Sequence, residues 1–528
     1  MSLLFGFRYS PLQKGLIMAM DHPSVWMAGR TPAVPPPEAR VDAAPLEVLI
    51  LGGGLCALLT AFRLYEKGVR SLAVVEAGEI AGGTSAHTTA KVTAQHGLLY
   101  ARLRKGLGEE KAAQYAKANQ DAVEAYAAVM ERLGLQDEFH RCASYLYTDD
   151  PAYAESLEEE AEACRLLDLP VSVTVKTELP FPVLTAVRMD SQARIHPLRF
   201  ADALARWLVE KGVRIYTHTR AYPSEADQTP GEIRTNRGTL HADTVILATH
   251  YPFMDKSGLY FARIWQERSY VLALTHVPPM EHLYWAPGEN GFSFRPATWT
   301  AGEGEAQGLL LGGKSHKTGH EGTRYHYEAL RTAAKAWYPD MRVAGRWSAQ
   351  DGMTHDGVPY IGRYRQLEGK LAGRVFLATG FNKWGMSTSM AAADILSEAV
   401  LGRDHPCRDV FAPSRFDPGL KAKSFFIEST DMVGSLIGPY LHLPAATSAS
   451  IRKGEGKVIT VDDKRVGVYK DEHDVLHTVR PICPHMGCVL QWNRDERSWD
   501  CPCHGSRFDY TGRLLNDPAQ RELETTLK

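Results

Sequence analysis

No stretch of this 528-residue chain stays apolar for the roughly 18 residues a bilayer-crossing helix needs, so the sequence offers no transmembrane helix. Charge imbalance is missing too. Sixty basic and 62 acidic residues leave a formal net charge of −2, which removes the electrostatic case for nucleic acid or an anionic membrane as partner. Internal repeats are absent. Cysteine is scarce over most of the chain: Cys56, Cys142, Cys164 and Cys407 stand far apart, which argues against a disulfide framework and suits a reducing compartment. The opening MSLLFGFRYSPLQKGLIMAM is interrupted by Arg8, Pro11, Gln13 and Lys14 and lacks a small-residue cleavage site. It is a poor secretory signal, so a cytoplasmic location is expected, with Met18 and Met20 as alternative starts.

What is there reads as a globular protein of several domains. Apolar residues make up 44% and charged residues 23%, and the length suits two to four domains. Residues 1–45 read as an N-terminal arm, its proline-rich end (RTPAVPPPEARVDAAP) extended or tether-like. Residues 46–78 hold a buried strand, a glycine turn, a helix and a second strand, a βαβ unit. Long helices are expected over 106–133 and 151–168, with Glu158, Glu159 and Glu160 on a solvated face. Short strands such as SYVLALTH and GFSFRPAT follow, and Thr244–His250 closes a second α/β stretch. Strand, glycine-rich turn and helix recur over 373–402. The α/β pattern, 46–410, gives way to a connector over 411–450. Residues 451–528 then form a small all-β unit, so the fold class is α/β plus all-β.

Gly52, Gly54 and Ala57 fit G-x-G-x-x-(G/A) directly after a strand. The first glycine allows the tight turn, the second lets backbone approach a pyrophosphate, and the small third residue packs helix on strand. Glu76, ending the next strand, is placed to accept hydrogen bonds from ribose hydroxyls. This pattern alone does not separate FAD from NAD. Three further stretches do: AGGTSAHTTAKVTAQHG (81–97), ADTVILATH (242–250) and DGVPYIG…VFLATGFNKWGMS (356–387). Their order and spacing resemble the D-amino-acid-oxidase-like (DAO) flavoproteins, which include glycine oxidase and sarcosine oxidase. The resemblance implies FAD on Glu76, with Gly82, Gly83, Thr84, Ser85 and Thr249 near it. The turn from Gly380 through Asn382 and Gly385 to Met386 would close over the flavin ring, below a mixed-sheet substrate domain. It also implies His87, Lys91, His96, Lys383 and Trp384 as candidate catalytic residues, each weighed against a plain turn role. The family's flavin-linking cysteine is missing from WSAQDGMTHD, so the FAD should be non-covalent. Its carboxylate-gripping basic residues are replaced by Thr93 and Ser387, which puts an amino-acid substrate in doubt but leaves C–N oxidation open. Arg295 reads as a surface arginine, and His196 as the start of a helix.

The remaining four cysteines crowd into the carboxyl-terminal end. They read C-x-H (Cys483, His485), then C-x-x-H (Cys501, His504). Two thiolates and two imidazoles suit structural zinc. Zinc sites, however, usually pair cysteine with cysteine, whereas each cluster here supplies one of each. A Rieske [2Fe–2S] centre takes two cysteines on one iron and two histidines on the other. The stretch closely resembles the Rieske domain of cytochrome bc-type complexes, C-x-H-x-G-C…C-P-C-H-G-S. That resemblance implies the four ligands above, a disulfide between Cys488 and Cys503, Ser506 near a bridging sulfide, and Asp517-Pro518-Ala519 covering the cluster.

Together these features resemble the Rieske-fused branch of the DAO-like flavoproteins. The expected activity is oxidation of an amine or other C–N compound, with electrons leaving the flavin through the cluster to an unidentified acceptor or oxygen. The alternatives are a reductase or monooxygenase-type component with the flow reversed, and an electron-transfer or redox-sensing protein without turnover. No second G-x-G-x-x-G offers an NAD(P)H site, which argues against reversed flow.

Phe508 stands where high-potential Rieske proteins carry a tyrosine that hydrogen-bonds a ligand sulfur. Without that donor, more negative charge stays on the cluster and its potential should fall. Phe508→Tyr is expected to raise the potential in a redox titration, and an unchanged or lowered value would contradict this.

Overall fold

Along Leu46–Leu51 only Glu47 faces solvent. A strand apolar on both faces belongs inside a parallel sheet covered on both sides. Its neighbours pair in parallel, Val48 with Leu72 of Leu72–Val75 and with Thr244 of Gly238–Leu247. The structure, a computed structural model, describes residues 22–34, 40–42, 44–222, 231–254, 258–320, 325–364, 373–415 and 451–525. Most of the expected connector and the first 21 residues lie outside the described residues.

Among those described, the first sheet has seven strands, with Val375–Thr379, Gly238–Leu247, Leu46–Leu51 and Leu72–Val75 adjacent in that order. Helices Leu55–Glu66, Glu109–Arg132 and Gly385–Val400 pack together over it. A second, mixed sheet of nine strands stands above the nucleotide end and contributes the long strands Ile264–Thr275, Gly304–Lys317 and Arg342–Thr354.

The expected helix over 106–133 begins only at Glu109, because Gly108 (φ +85°) breaks it from Tyr100–Leu107. His196 starts Pro197–Glu210, its Nδ1 accepting from the Arg199 amide at 3.2 Å. One expectation for the helix Ala154–Leu166 fails. Glu158 and Glu159 are exposed, but Glu160 is buried. Its carboxylate accepts from the amides of Leu99, Tyr100 and Ala101, whose donors at a helix start have no intrahelical partner. Within the arm, Val25–Met27 forms a short 3₁₀ turn, and buried Trp26 donates from Nε1 to the Thr88 carbonyl at 2.8 Å. Arg295 also departs from its expectation. It is 2% exposed, stacks on Trp26 with 4.8 Å to the ring centroid, and donates to the Ile195 carbonyl.

The last 75 described residues form two small antiparallel sheets, of three strands (Glu455–Val461, Lys464–Lys470, Leu476–Val479) and four. They dock against the second sheet through charged side chains. Arg507 donates to Asp500 at 3.0 Å and lies 3.4 Å from Glu496, which Arg268 approaches at 3.8 Å from the Ile264–Thr275 strand. At the same border, Gly505 has φ +80°. A Cβ there would lie 2.4 Å from Cβ of Gln266, so only glycine allows this approach.

Candidate redox site at the domain junction

The first strand ends at Gly52, whose φ of +105° and closeness to the Ala248 carbonyl admit no side chain. Gly54 then caps the Leu55–Glu66 helix, and Ser85 Oγ accepts from the Leu55 amide at 3.1 Å. Glu76 accepts from the amides of Gly53 and Gly78, both at 2.7 Å. Burial raises its pKa against the pull of those bonds. A cavity of about 2170 Å³ opens over this turn. Pockets for drug-sized molecules run to about 1,000 Å³, so this one has room for a dinucleotide and a small substrate together. A helix amino terminus, open glycine backbone and an acidic residue around such a volume fit FAD.

The structure places Gly52, Gly54, Glu76, Gly82, Gly83, Thr84, Ser85, Thr249, Asn382, Gly385 and Met386 on the cavity wall. Ala57 is fully buried beneath it, and Gly380 (φ +72°) packs against Thr354 behind it. His87, Lys91, His96, Lys383 and Trp384 line the cavity as well. Their partners differ. His96 is committed to the fold: Nδ1 meets the Tyr115 hydroxyl at 2.7 Å, and Nε2 meets the Thr93 carbonyl and the Ser387 hydroxyl. Burial drives its pKa down to about 3, so its neutral ring serves as the platform on which Trp384 stacks at 4.9 Å. Asn382 likewise braces its turn, accepting from the Thr354 amide and donating to the Gly380 carbonyl. Lys383 pairs with Glu267 at 2.8 Å.

His87 and Lys91 keep chemical capacity. His87 Nδ1 lies 2.8 Å from the Gly83 carbonyl, which makes that nitrogen the donor. Its buried Nε2 has no hydrogen bond among the described residues. Lys91 Nζ donates to the Tyr284 carbonyl at 2.7 Å and to the Ser293 hydroxyl. Burial first, then the nearby Arg295 charge, bring its pKa to about 7.

Two similar turns hold the second group. Cys483 N–H donates to the Cys488 carbonyl and Cys501 N–H to the Ser506 carbonyl, both at 2.8 Å. Gly487 and Gly505, both with positive φ, close the turns. Cys488 and Cys503 are joined in a disulfide that ties one turn to the other. Cys488, Cys501 and Cys503 lie close enough together to suggest a metal set, but two of those sulfurs are spent on each other. The available donors are Cys483 and Cys501, both buried, with the rings of His485 and His504 at 4.9 Å. The nearness of the two sulfurs sets their pKa values apart, Cys483 below and Cys501 above the ordinary thiol range. Two adjoining sulfurs beside two adjoining imidazoles fit a [2Fe–2S] centre. Ala519 N–H donates to Ser506 Oγ at 3.0 Å, which lays the Asp517–Ala519 loop over this end.

Several residues at the junction were not singled out by sequence. His250 sits between the Thr84 hydroxyl (3.4 Å) and Gln266 Oε1 (3.3 Å), and Gln350 spans from the cavity loop to Gly505. Only the end-of-strand position in ATH hinted at His250, and nothing marked either glutamine.

Residues 47–399 match the family described as FAD dependent oxidoreductase (DAO), and 442–526 match the Rieske [2Fe-2S] domain. A protein from Bacillus subtilis (strain 168), named as the putative Rieske 2Fe-2S iron-sulfur protein YhfW, is 35% identical over 484 residues. That match covers 90% of this chain and 92% of YhfW. The cytochrome b6-f complex iron-sulfur subunit of Nostoc punctiforme is 41% identical over 71 residues, 13% of this chain and 36% of its own. Glycine oxidase from Geobacillus kaustophilus shares the fold at TM-score 0.57 and 18% identity, over 71% of this chain and 99% of its own.

The disulfide closes a loop of 15 residues. Replacing Cys488 and Cys503 with serine should cost the Rieske domain about 3 kcal/mol. Denaturant titration followed by cluster absorbance measures this, and an unchanged midpoint would contradict it.

Proposed function

Because this chain belongs to the FAD dependent oxidoreductase (DAO) family and carries a Rieske [2Fe–2S] domain behind it, we propose that it dehydrogenates an amine or other C–N compound and releases the electrons singly to an acceptor. When bound, FAD supplies two-electron acceptance of a hydride and the [2Fe–2S] cluster one-electron passage. One observation carries the reading. The Cys501–Ser506 turn, which holds two candidate cluster ligands, lies directly against strands whose residues wall the flavin cavity, with Gln350 Nε2 2.9 Å from the Gly505 carbonyl.

The chain's own groups would divide the work. Gly52–Gly54 and Ser85 hold the dinucleotide end, and Trp384, backed by His96, forms an aromatic wall. Oxidation of the C–N bond removes two electrons and two protons and leaves an imine, which water hydrolyses. Lys91, with its pKa brought to about 7 and so about half unprotonated at that pH, is the group we assign to take the amine proton. Two of the arginines on the wall, Arg268 and Arg507, are engaged by Gln350, Glu496 and Asp500, which withdraws them from a substrate carboxylate.

Anaerobic mixing with a panel of primary, secondary and N-methylated amines and amino acids should bleach the flavin absorbance with at least one amine. The electron paramagnetic resonance signal of a reduced Rieske cluster should follow. Bleaching by no compound, or bleaching that never reaches the cluster, would sink the proposal.

Lys91 also sets a pH dependence. Below about 7 its amine is protonated and cannot accept a proton, so flavin reduction should slow as pH falls through that value. Lys91→Met should slow flavin reduction by about 10²–10⁴-fold and abolish that limb. If the limb persists in the variant, another group accounts for it.

A further inference from the structure

Gln350, on the Arg342–Thr354 strand, is buried and touches both cofactor sites. Its backbone carbonyl accepts from the Thr84 hydroxyl at 3.3 Å, in the loop lining the flavin cavity. Its side chain reaches the other way, Nε2 donating to the Gly505 carbonyl at 2.9 Å, one residue past His504. The orientation of this amide is dictated by its neighbours. Arg268 has only donors, and its guanidinium donates to Gln350 Oε1 at 2.8 Å. Thr318 Oγ1 reaches the same oxygen at 3.3 Å. That leaves Nε2 for the Gly505 carbonyl, which can only accept.

Other elements also meet this turn, and Gly319 approaches so closely that a Cβ there would lie 2.5 Å from the Pro502 Cα. His320 lies 3.4 Å from the Pro502 carbonyl, and Phe261 meets the His504 ring edge-on at 6.0 Å between centroids. Gly505 itself is pressed to the limit of approach against Gln266. Gln350 joins Thr84 to the ligand turn directly, by two hydrogen bonds and its own covalent frame.

We propose that Gln350 is the positioning residue that couples the two cofactor sites, fixing the His504–Gly505 turn at a set distance from Thr84 so that electrons cross there. The inference rests on the flavin-to-cluster reading above. Each substrate oxidised yields two electrons, so two one-electron crossings are needed, each completed when the external acceptor takes one electron from the cluster. Electron transfer weakens steeply with distance and more steeply across an unbridged gap, so a loosened turn slows the crossing without altering chemistry at the substrate.

Two variants of the full-length, cofactor-loaded protein separate this from a packing role. Gln350→Met fills similar space with neither donor nor acceptor. Gln350→Glu keeps the acceptor for Arg268 and loses the donor to Gly505. Hydrogen exchange of the 501–506 amides should quicken by about five- to tenfold in both, the effect of one lost hydrogen bond. After a laser flash that reduces the flavin, cluster reduction should slow by about tenfold or more in both, as expected when a redox pair loses its fixed geometry. The signal's g values should stay those of the parent, since the ligands are untouched. Cluster reduction at the parent rate in Gln350→Glu would overturn the proposal, as would faster exchange with no slowing. If the parent's reduced flavin never passes an electron to the cluster, the flavin-to-cluster reading falls and takes this inference with it. A normal parent beside two normal variants would sink Gln350 alone.

Discussion

Arg268, Glu496, Arg507 and Asp500 meet where the two domains join, and the placement of the cluster depends on them. Three of the four are at most 3% exposed and Glu496 keeps 12% of its side chain in contact with solvent. Taking such charges out of water is expensive, and mutual attraction repays it only when every lone pair and proton finds a partner. Here each does much of that. Arg507 also donates to Ser498 and Asn516, Asp500 accepts from Ser498 and Asn493, and Arg268 donates to Ser348 and Gln350. Burial opposes the ionisation of Glu496, and Arg507 and Arg268 overcome it. A greasy interface would tolerate sliding, whereas a buried network with directional bonds selects one docking geometry.

That geometry makes the two histidines unequal. His504 is buried on the side of the flavin domain, beside Phe261 and the Gly505 contact. His485 is partly exposed, between the exposed residues Pro484 and Met486. Of the two imidazoles that would hold the cluster, one therefore faces the flavin domain and the other lies nearer the solvent.

The flavin side is built with strain in the same region. His250, Asn382 and Lys383 all adopt positive φ around the cavity wall. Non-glycine residues hold such angles only when their surroundings over-determine them. For Asn382 the bonds to Thr354 and Gly380 do so, and the Thr379 hydroxyl secures His250 by donating to its carbonyl. Such turns aim side chains into the cavity without depending on flexible loops.

How much of this was legible in sequence depends on how far apart the partners lie. Gly52, Gly54 and Glu76, and the C-x-H and C-x-x-H groups with their neighbouring glycines, could be read because close spacing along the chain already restricts them to one kind of turn. Strand alternation and helix periodicity likewise settled the α/β and all-β halves. What sequence misread or missed depended on distant contacts. Glu160 looks like surface until the Tyr100–Leu107 helix presents its amides, and Arg295 until Trp26 covers it. His96 resembles a catalytic base until Tyr115, Thr93 and Ser387 occupy both its nitrogens. Gln350 meets Gly505 across 155 positions, a separation at which no spacing rule holds. Local backbone chemistry determined which cofactors this chain is equipped to hold; only the packing of one domain on the other decided that their sites adjoin, because burying charges is tolerable in a single arrangement that pairs them.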